Sequence, residues 1–120
     1  MAYVDGFVIP IPKKKIKSYT TMAKKAAKVW MEHGALEVKE CVGEDFAVKM
    51  APPFSRKLKL KRGETVLFSY IVFKSRAHRD RVNAKVMKDP RLHKMAPKEM
   101  PFDVKRMMYS GFRVLVDTKA

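Results

Sequence analysis

Few residues in this chain have both the type and the setting to do chemistry. There are three histidines, one cysteine, one tryptophan and a carboxylate embedded in an apolar strand. A histidine titrates near neutrality, so His33 or His78 can serve as a proton shuttle or a haem ligand. Each also has a plainer role. His33 falls in the last turn of a helix, where it meets the dipole and the final carbonyls. His78 falls in a first turn, where it bonds locally or faces solvent. His33, His78 and His93 are far apart and lack the H-x-x-E-H type of spacing, so no metal is expected. Glycine patterns for phosphate or dinucleotide binding are absent as well, and no cofactor is expected.

Asp5 is the more informative group. It lies in YVDGFVIPIP, on the strand face shared by Tyr3, Phe7 and Ile9. A carboxylate on an inward strand face is rarely left unpaired. Arg113, on the Met107–Tyr109–Gly111 face of the last strand, is its expected partner, with Glu37 and Lys39 extending the polar set. Such a network binds an anion or acid substrate, or it fixes the register of a dimer; the structural role is preferred. Cys41 shares that inward register without a neighbouring histidine and reads as an inert buried thiol.

The elements that must hold these groups follow from periodicity. Residues 3–11 alternate as a strand ended by Pro10 and Pro12. Gly6, between two valines, predicts a close approach over that face. Residues 13–33 form a helix whose stripe is Ile16, Tyr19, Ala23, Ala26, Ala27 and Trp30, with Gly34 as its C-cap. Residues 35–42 form a second strand, with Leu36, Val38 and Val42 on one side and Glu37, Lys39 and Cys41 on the other. Residues 43–63 form an irregular excursion rather than a linker. Residues 65–74 form the strongest strand, and Ser75 is placed to cap a helix over 76–88 that turns in His78, Val82 and Val86. Arg76–Asp80 is a possible i, i+4 pair on its flank. Residues 105–116 make the last strand.

The order β-α-β-β-α-β predicts an α+β, ferredoxin-like protomer: one domain over residues 1–120, a four-stranded antiparallel sheet and two helices on one face. The uncovered face would carry Tyr3, Phe7, Phe68, Tyr70, Met107, Tyr109 and Leu115, too apolar to leave wet. Sheet-on-sheet homodimerisation is the economical cover.

Four blocks then carry a resemblance: YVDGFVIPIP at 3–12, VWMEHGALEVKECVGED at 29–45, YIVFKSRAHRDRVNAKVMKDPRL at 70–92 and MPFDVKRMMYSGFRVLVD at 100–117. Together they resemble the YbaA-like bacterial family of unknown function in the dimeric α+β barrel superfamily. The resemblance implies a homodimer whose two sheets close into one barrel. Superfamily relatives with activities include cofactor-independent monooxygenases and haem-degrading proteins, which use the cavity between helices and sheet. On that implication the candidate pocket residues are Asp5, Tyr19, Trp30, His33, Tyr70, His78, Asn83, Tyr109 and Arg113. The implied function is small-molecule binding or a cofactor-free oxygenase-like reaction.

Composition narrows the alternatives. The 47% hydrophobic content argues against disorder. No apolar run is long enough to span a bilayer, and residues 1–12 lack a signal-peptide pattern. With one cysteine, these features predict a cytoplasmic protein with no membrane partner. The net charge of +15 is spread over both halves, +9 across residues 13–62 and +7 across 63–120. It permits nucleic-acid binding, and Phe68, Tyr70 and Tyr109 invite comparison with RNA-stacking sheets. The strand VLFSYIVF lacks the Lys/Arg-Gly-aromatic signature, so RNA ranks second.

Overall fold

The computed structural model describes residues 1–92 and 97–120. Two ten-residue strands form its centre, β1 (Tyr3–Pro12) and β3 (Glu64–Phe73), flanked by the six-residue edge strands β2 (Glu37–Val42) and β4 (Met108–Arg113). All pairs are antiparallel, in the order β2-β3-β1-β4. Helix α1 (Ile16–Glu32) connects β1 to β2, and α3 (Arg76–Met87) connects β3 to β4. A single turn, α2 (Phe54–Lys57), breaks the excursion between β2 and β3.

Local chemistry sets the boundaries. Lys13–Lys15 form a 3-10 turn, so α1 begins three residues later than the periodicity predicts. Gly34 ends α1 at φ +116°, and the Ala35 amide donates to the Trp30 carbonyl at 3.0 Å. Only glycine adopts such a φ without strain. At α3, the Ser75 hydroxyl accepts the His78 amide at 3.1 Å, as a cap should. β4 is shorter than expected because Val104–Arg106 turn as a 3-10 helix, capped by Asp103.

Both long helices pack on one face of the sheet. Ile9, Ile11, Leu67 and Phe102 enclose Tyr19 and Ala23 of α1. Ile71, Phe73 and Ala35 enclose Val29 of α1 with Val82 and Val86 of α3. Complete burial of a side chain the size of Phe73 or Ile11 contributes about 1.5–3 kcal/mol, so this layer carries most of the stability.

Pairing register decides which side chains share that layer. Asp5 lies opposite Ile71 on β3 and Gly111 on β4; Phe7 lies opposite Ser69 and Tyr109. Tyr3, Asp5, Phe7 and Tyr109 therefore face the helices, and the expectation that Tyr3, Phe7 and Tyr109 line the uncovered face is corrected. That face carries Val4, Val8, Phe68, Tyr70, Val72, Met108 and Phe112. Met107 and Leu115 fall outside β4 altogether. In β2 the inversion repeats: Val38, Glu40 and Val42 pair with Ile71, Ser69 and Leu67 on the helix side. Glu37, Lys39 and Cys41 point away, and Cys41 is exposed rather than buried. Both faces of β1 are apolar, so alternation alone does not say which one meets the helices. The close approach over Gly6 is Phe112, whose ring would lie 3.1 Å from a Cβ there.

Candidate functional site

Beneath α1 the two layers do not close completely. They leave a cavity of about 410 Å³ between α1, the sheet, the end of α3 and the following chain. Phe7, Ile9, Ile71, Trp30 and Phe102 supply rigid walls, and Met22, Met87, Met100 and Met107 supply adaptable ones. Methionine-rich walls accept varied apolar shapes. The volume falls within the range of small-molecule sites.

The cavity has one organised polar feature. Tyr19 is buried, and its hydroxyl donates to Glu40 Oε1 at 2.7 Å; Ser69 stands beside both on the lining. Burial first, and then the Glu40 carboxylate, push the Tyr19 phenol well above its ordinary value. The phenol therefore stays protonated and acts as a donor. Lys25 and Arg91 complete the polar lining, with Arg91 already committed to Asp89 and Glu32.

Behind Trp30 lies a second polar system. The indole Nε1 donates to Asn83 Oδ1 at 2.9 Å, and the Asn83 amide donates to Asp5 Oδ2 at 3.2 Å. Arg79 Nη1 donates to Asp5 Oδ1 at 2.6 Å and to the Tyr109 hydroxyl at 3.1 Å. The guanidinium also stacks 4.9 Å over Tyr3, while Phe7 and Tyr109 stack at 4.7 Å. Asp5 is 1% exposed, yet both of its oxygens are satisfied. Burial, followed by the nearby Asp5 charge, raises the Tyr109 phenol. The network joins β1, β4, α1 and α3, and it fixes the indole that closes the cavity.

The family described as "Protein of unknown function (DUF1428)" matches residues 2–104. The chain belongs to this family. "Uncharacterized protein YbaA" of Escherichia coli K12 is 42% identical over 117 residues, covering 98% of this chain and 99% of the relative. The protein of that name in Shigella flexneri matches to the same extent. Among solved structures, "De novo designed protein Foldit4" aligns at a TM-score of 0.47 and 8% identity, covering 95% of this chain and 99% of that one. At that score the likeness supports no conclusion.

Of the residues expected in a pocket, Tyr19 and Trp30 line this DUF1428 cavity. Asp5, Asn83 and Tyr109 form the network behind it. Tyr70 lies on the opposite sheet face, opposite Gly6 and Lys39. Arg113 is exposed and lies opposite Tyr3 at the β4 edge; the guanidinium that meets Asp5 is Arg79. Arg79 also takes Asp80, the partner expected of Arg76. His33 Nε2 donates to Asp89 Oδ2 at 2.8 Å, in a cluster with Arg91 and Glu32 that ties the ends of the two long helices. Arg91, then His33, hold the Asp89 carboxyl well below the usual range. His78 accepts the Lys74 amide on Nδ1 at 2.9 Å and packs by Gly34, outside the cavity. His93 lies outside the described residues. Among the described residues no three His, Cys, Asp or Glu side chains converge as a metal set, and no helix is long and apolar enough to cross a membrane.

Sequence reasoning missed Glu40 and Arg79. Glu40 had a signal: it shares the face of Val38 and Val42. Arg79 had a weaker one, lying i, i−3 and i, i−7 from Val82 and Val86 on the buried side of α3.

Proposed function

We propose that the chain is a single-domain, ferredoxin-like protomer, residues 1–120, that pairs through its open sheet face into a dimeric α+β barrel and holds a small, largely apolar ligand in the cavity beneath α1. The observation that carries the binding reading is an apolar cavity with one oriented polar group, the Tyr19–Glu40 pair. The sheet order β2-β3-β1-β4 with both helices on one face supports the protomer assignment. Exposed Phe68, Met108 and Phe112 on the other face support pairing, since that surface gains by burial. The enzymatic form of the reading is a cofactor-free oxygenase-like reaction. In it Glu40 is the carboxylate nearest a bound substrate, and Tyr19 the phenol that holds it. A cytoplasmic setting fits the free thiol of Cys41.

Methyl-selective NMR with small apolar alcohols and acids tests the ligand reading. Shifts confined to Met22, Met87, Met100 and Met107 are expected, and uniform or absent shifts would overturn it. Sedimentation tests the pairing: a dimer is expected, and Phe112→Lys with Phe68→Asp should yield a monomer.

A second reading, RNA binding on the basic surface, is supported by the net charge of +15.

A further inference from the structure

The two basic runs of the sequence meet in space. Lys13-Lys14-Lys15 follow the end of β1, and Lys61-Arg62 precede β3, where Pro12 pairs with Glu64. The Lys13 amide donates to the Gly63 carbonyl at 2.8 Å, locking one run against the other. The turn before β4 joins them: Lys15, Lys61 and Arg106 line a cleft of about 250 Å³ with Glu64 and Asp103. Arg106 pairs with Glu64 at 2.6 Å, which removes one charge of each sign. Lys13, Lys14, Lys15, Lys61, Arg62 and Lys105 are all exposed, and carboxylates lie among them: the Lys61 and Lys105 amides donate to Glu64 and Asp103 at 2.7 and 2.9 Å, and Glu99 lines the neighbouring hollow with Lys14 and Lys15.

The rest of the molecule is arranged differently. Asp5–Arg79–Asp80 and Glu32–Arg91–Asp89 compensate each other's charge around the end of α1 and the start of α3. Elsewhere the excess is spread over exposed lysines such as Lys24, Lys28, Lys85 and Lys88, as the sequence suggested; what marks this pole is that cations from three separated segments converge on it. Six cations brought together in this way repel one another unless a polyanion or salt relieves them.

Resting on the second reading above, we infer that this pole is a binding surface for the phosphodiester backbone of single-stranded nucleic acid, reading no sequence. The apolar residues set among the cations are buried (Pro10, Pro101 and Phe102) or half-buried (Pro12 and Met100), so the pole offers no fully exposed wedge for a bilayer. Flexible ammonium groups around a shallow cleft suit a mobile chain of phosphates, whose neutralisation displaces counterions.

The test compares two variants of equal net charge in the full chain. One carries Lys13→Gln, Lys14→Gln, Lys15→Gln, Lys61→Gln and Arg62→Gln. The other carries Lys24→Gln, Lys28→Gln, Lys85→Gln, Lys88→Gln and Lys119→Gln, all exposed and outside the pole. Binding to a single-stranded RNA of about 20 nucleotides is followed by anisotropy as salt is varied, with thermal melts to show that both variants fold. At about 0.15 M salt the pole variant should bind about tenfold more weakly than wild type and the control less than about threefold. The slope of log K against log salt should become shallower by about 0.7 for each phosphate that the variant no longer neutralises. Equal weakening in both variants would overturn the pole while leaving RNA binding in place. No binding by the wild type at that salt would overturn the reading itself. Binding to phosphatidylserine vesicles that depends on the pole, without RNA binding that does, would reassign the surface to membranes and overturn the inference.

Discussion

Asp5 and Arg79 stand 74 positions apart in the chain and meet at 2.6 Å in the layer between sheet and helices. The pair orders what surrounds it. Asp5 accepts from Asn83, which holds the Trp30 indole; Arg79 lies over Tyr3 and reaches Tyr109. One wall of the cavity is thus fixed by an ion pair that does not line it.

Removing one partner of this pair leaves a buried charge uncompensated. Asp5→Ala should destabilise the fold by about 3–5 kcal/mol in urea denaturation. Asp5→Leu with Arg79→Met should recover most of that loss. A double variant as unstable as the single one would show that the pair does more than compensate charge.

Gly111 faces the Tyr3 ring, and a Cβ at that position would run into it. Gly111→Ala should cost about 1–3 kcal/mol, as overpacking does. Tyr3→Ala in the same chain should open the space, making the two changes non-additive in a double-mutant cycle.

His78 should confer a pH dependence on stability. Burial first, then Lys74 and Arg81, hold its folded pKa below the ordinary 6.5. The unfolded chain takes up the proton first as pH falls. The contribution is therefore complete above about pH 6.5 and is lost as pH drops toward the lower folded value. The difference in stability between wild type and His78→Gln, measured from pH 8 to about pH 5, should shrink in that window; a constant difference would contradict this.

Ser75→Ala removes the hydroxyl that caps α3 and should cost about 1 kcal/mol. Ser75→Asp should restore it, because Asp caps as well as Ser.

Much of the fold was legible in the sequence, because its signals are local. Ser75 and Gly34 mark helix ends by backbone chemistry, and the spacing of Tyr19, Ala23, Val82 and Val86 marks helix faces. Proline and glycine mark the strand ends. The facing of the strands was harder. β1 is apolar on both sides, so nothing in its alternation distinguishes the side of Phe7 from that of Val8. That one ambiguity placed Tyr3 and Tyr109 on the wrong face and, by the same inversion in β2, turned attention to Glu37 and Cys41 instead of Glu40. Tyr19 and Trp30 were found because a helix stripe must face the sheet. Arg79 was hidden because an arginine within a basic helix reads as solvated; only the position of Asp5 beneath it draws it inward.

Trp30 is the single tryptophan of the chain, and it lines the cavity. Its fluorescence therefore reports the cavity wall together with the Asn83 hydrogen bond behind it. Titration with a medium-chain alcohol or a small aromatic acid should change the emission saturably in wild type. Ala26→Phe, which fills the space between α1 and Ile71, should abolish the response while the protein stays folded. An unaltered emission in wild type, or the same saturable change in Ala26→Phe, would contradict a ligand site beneath α1.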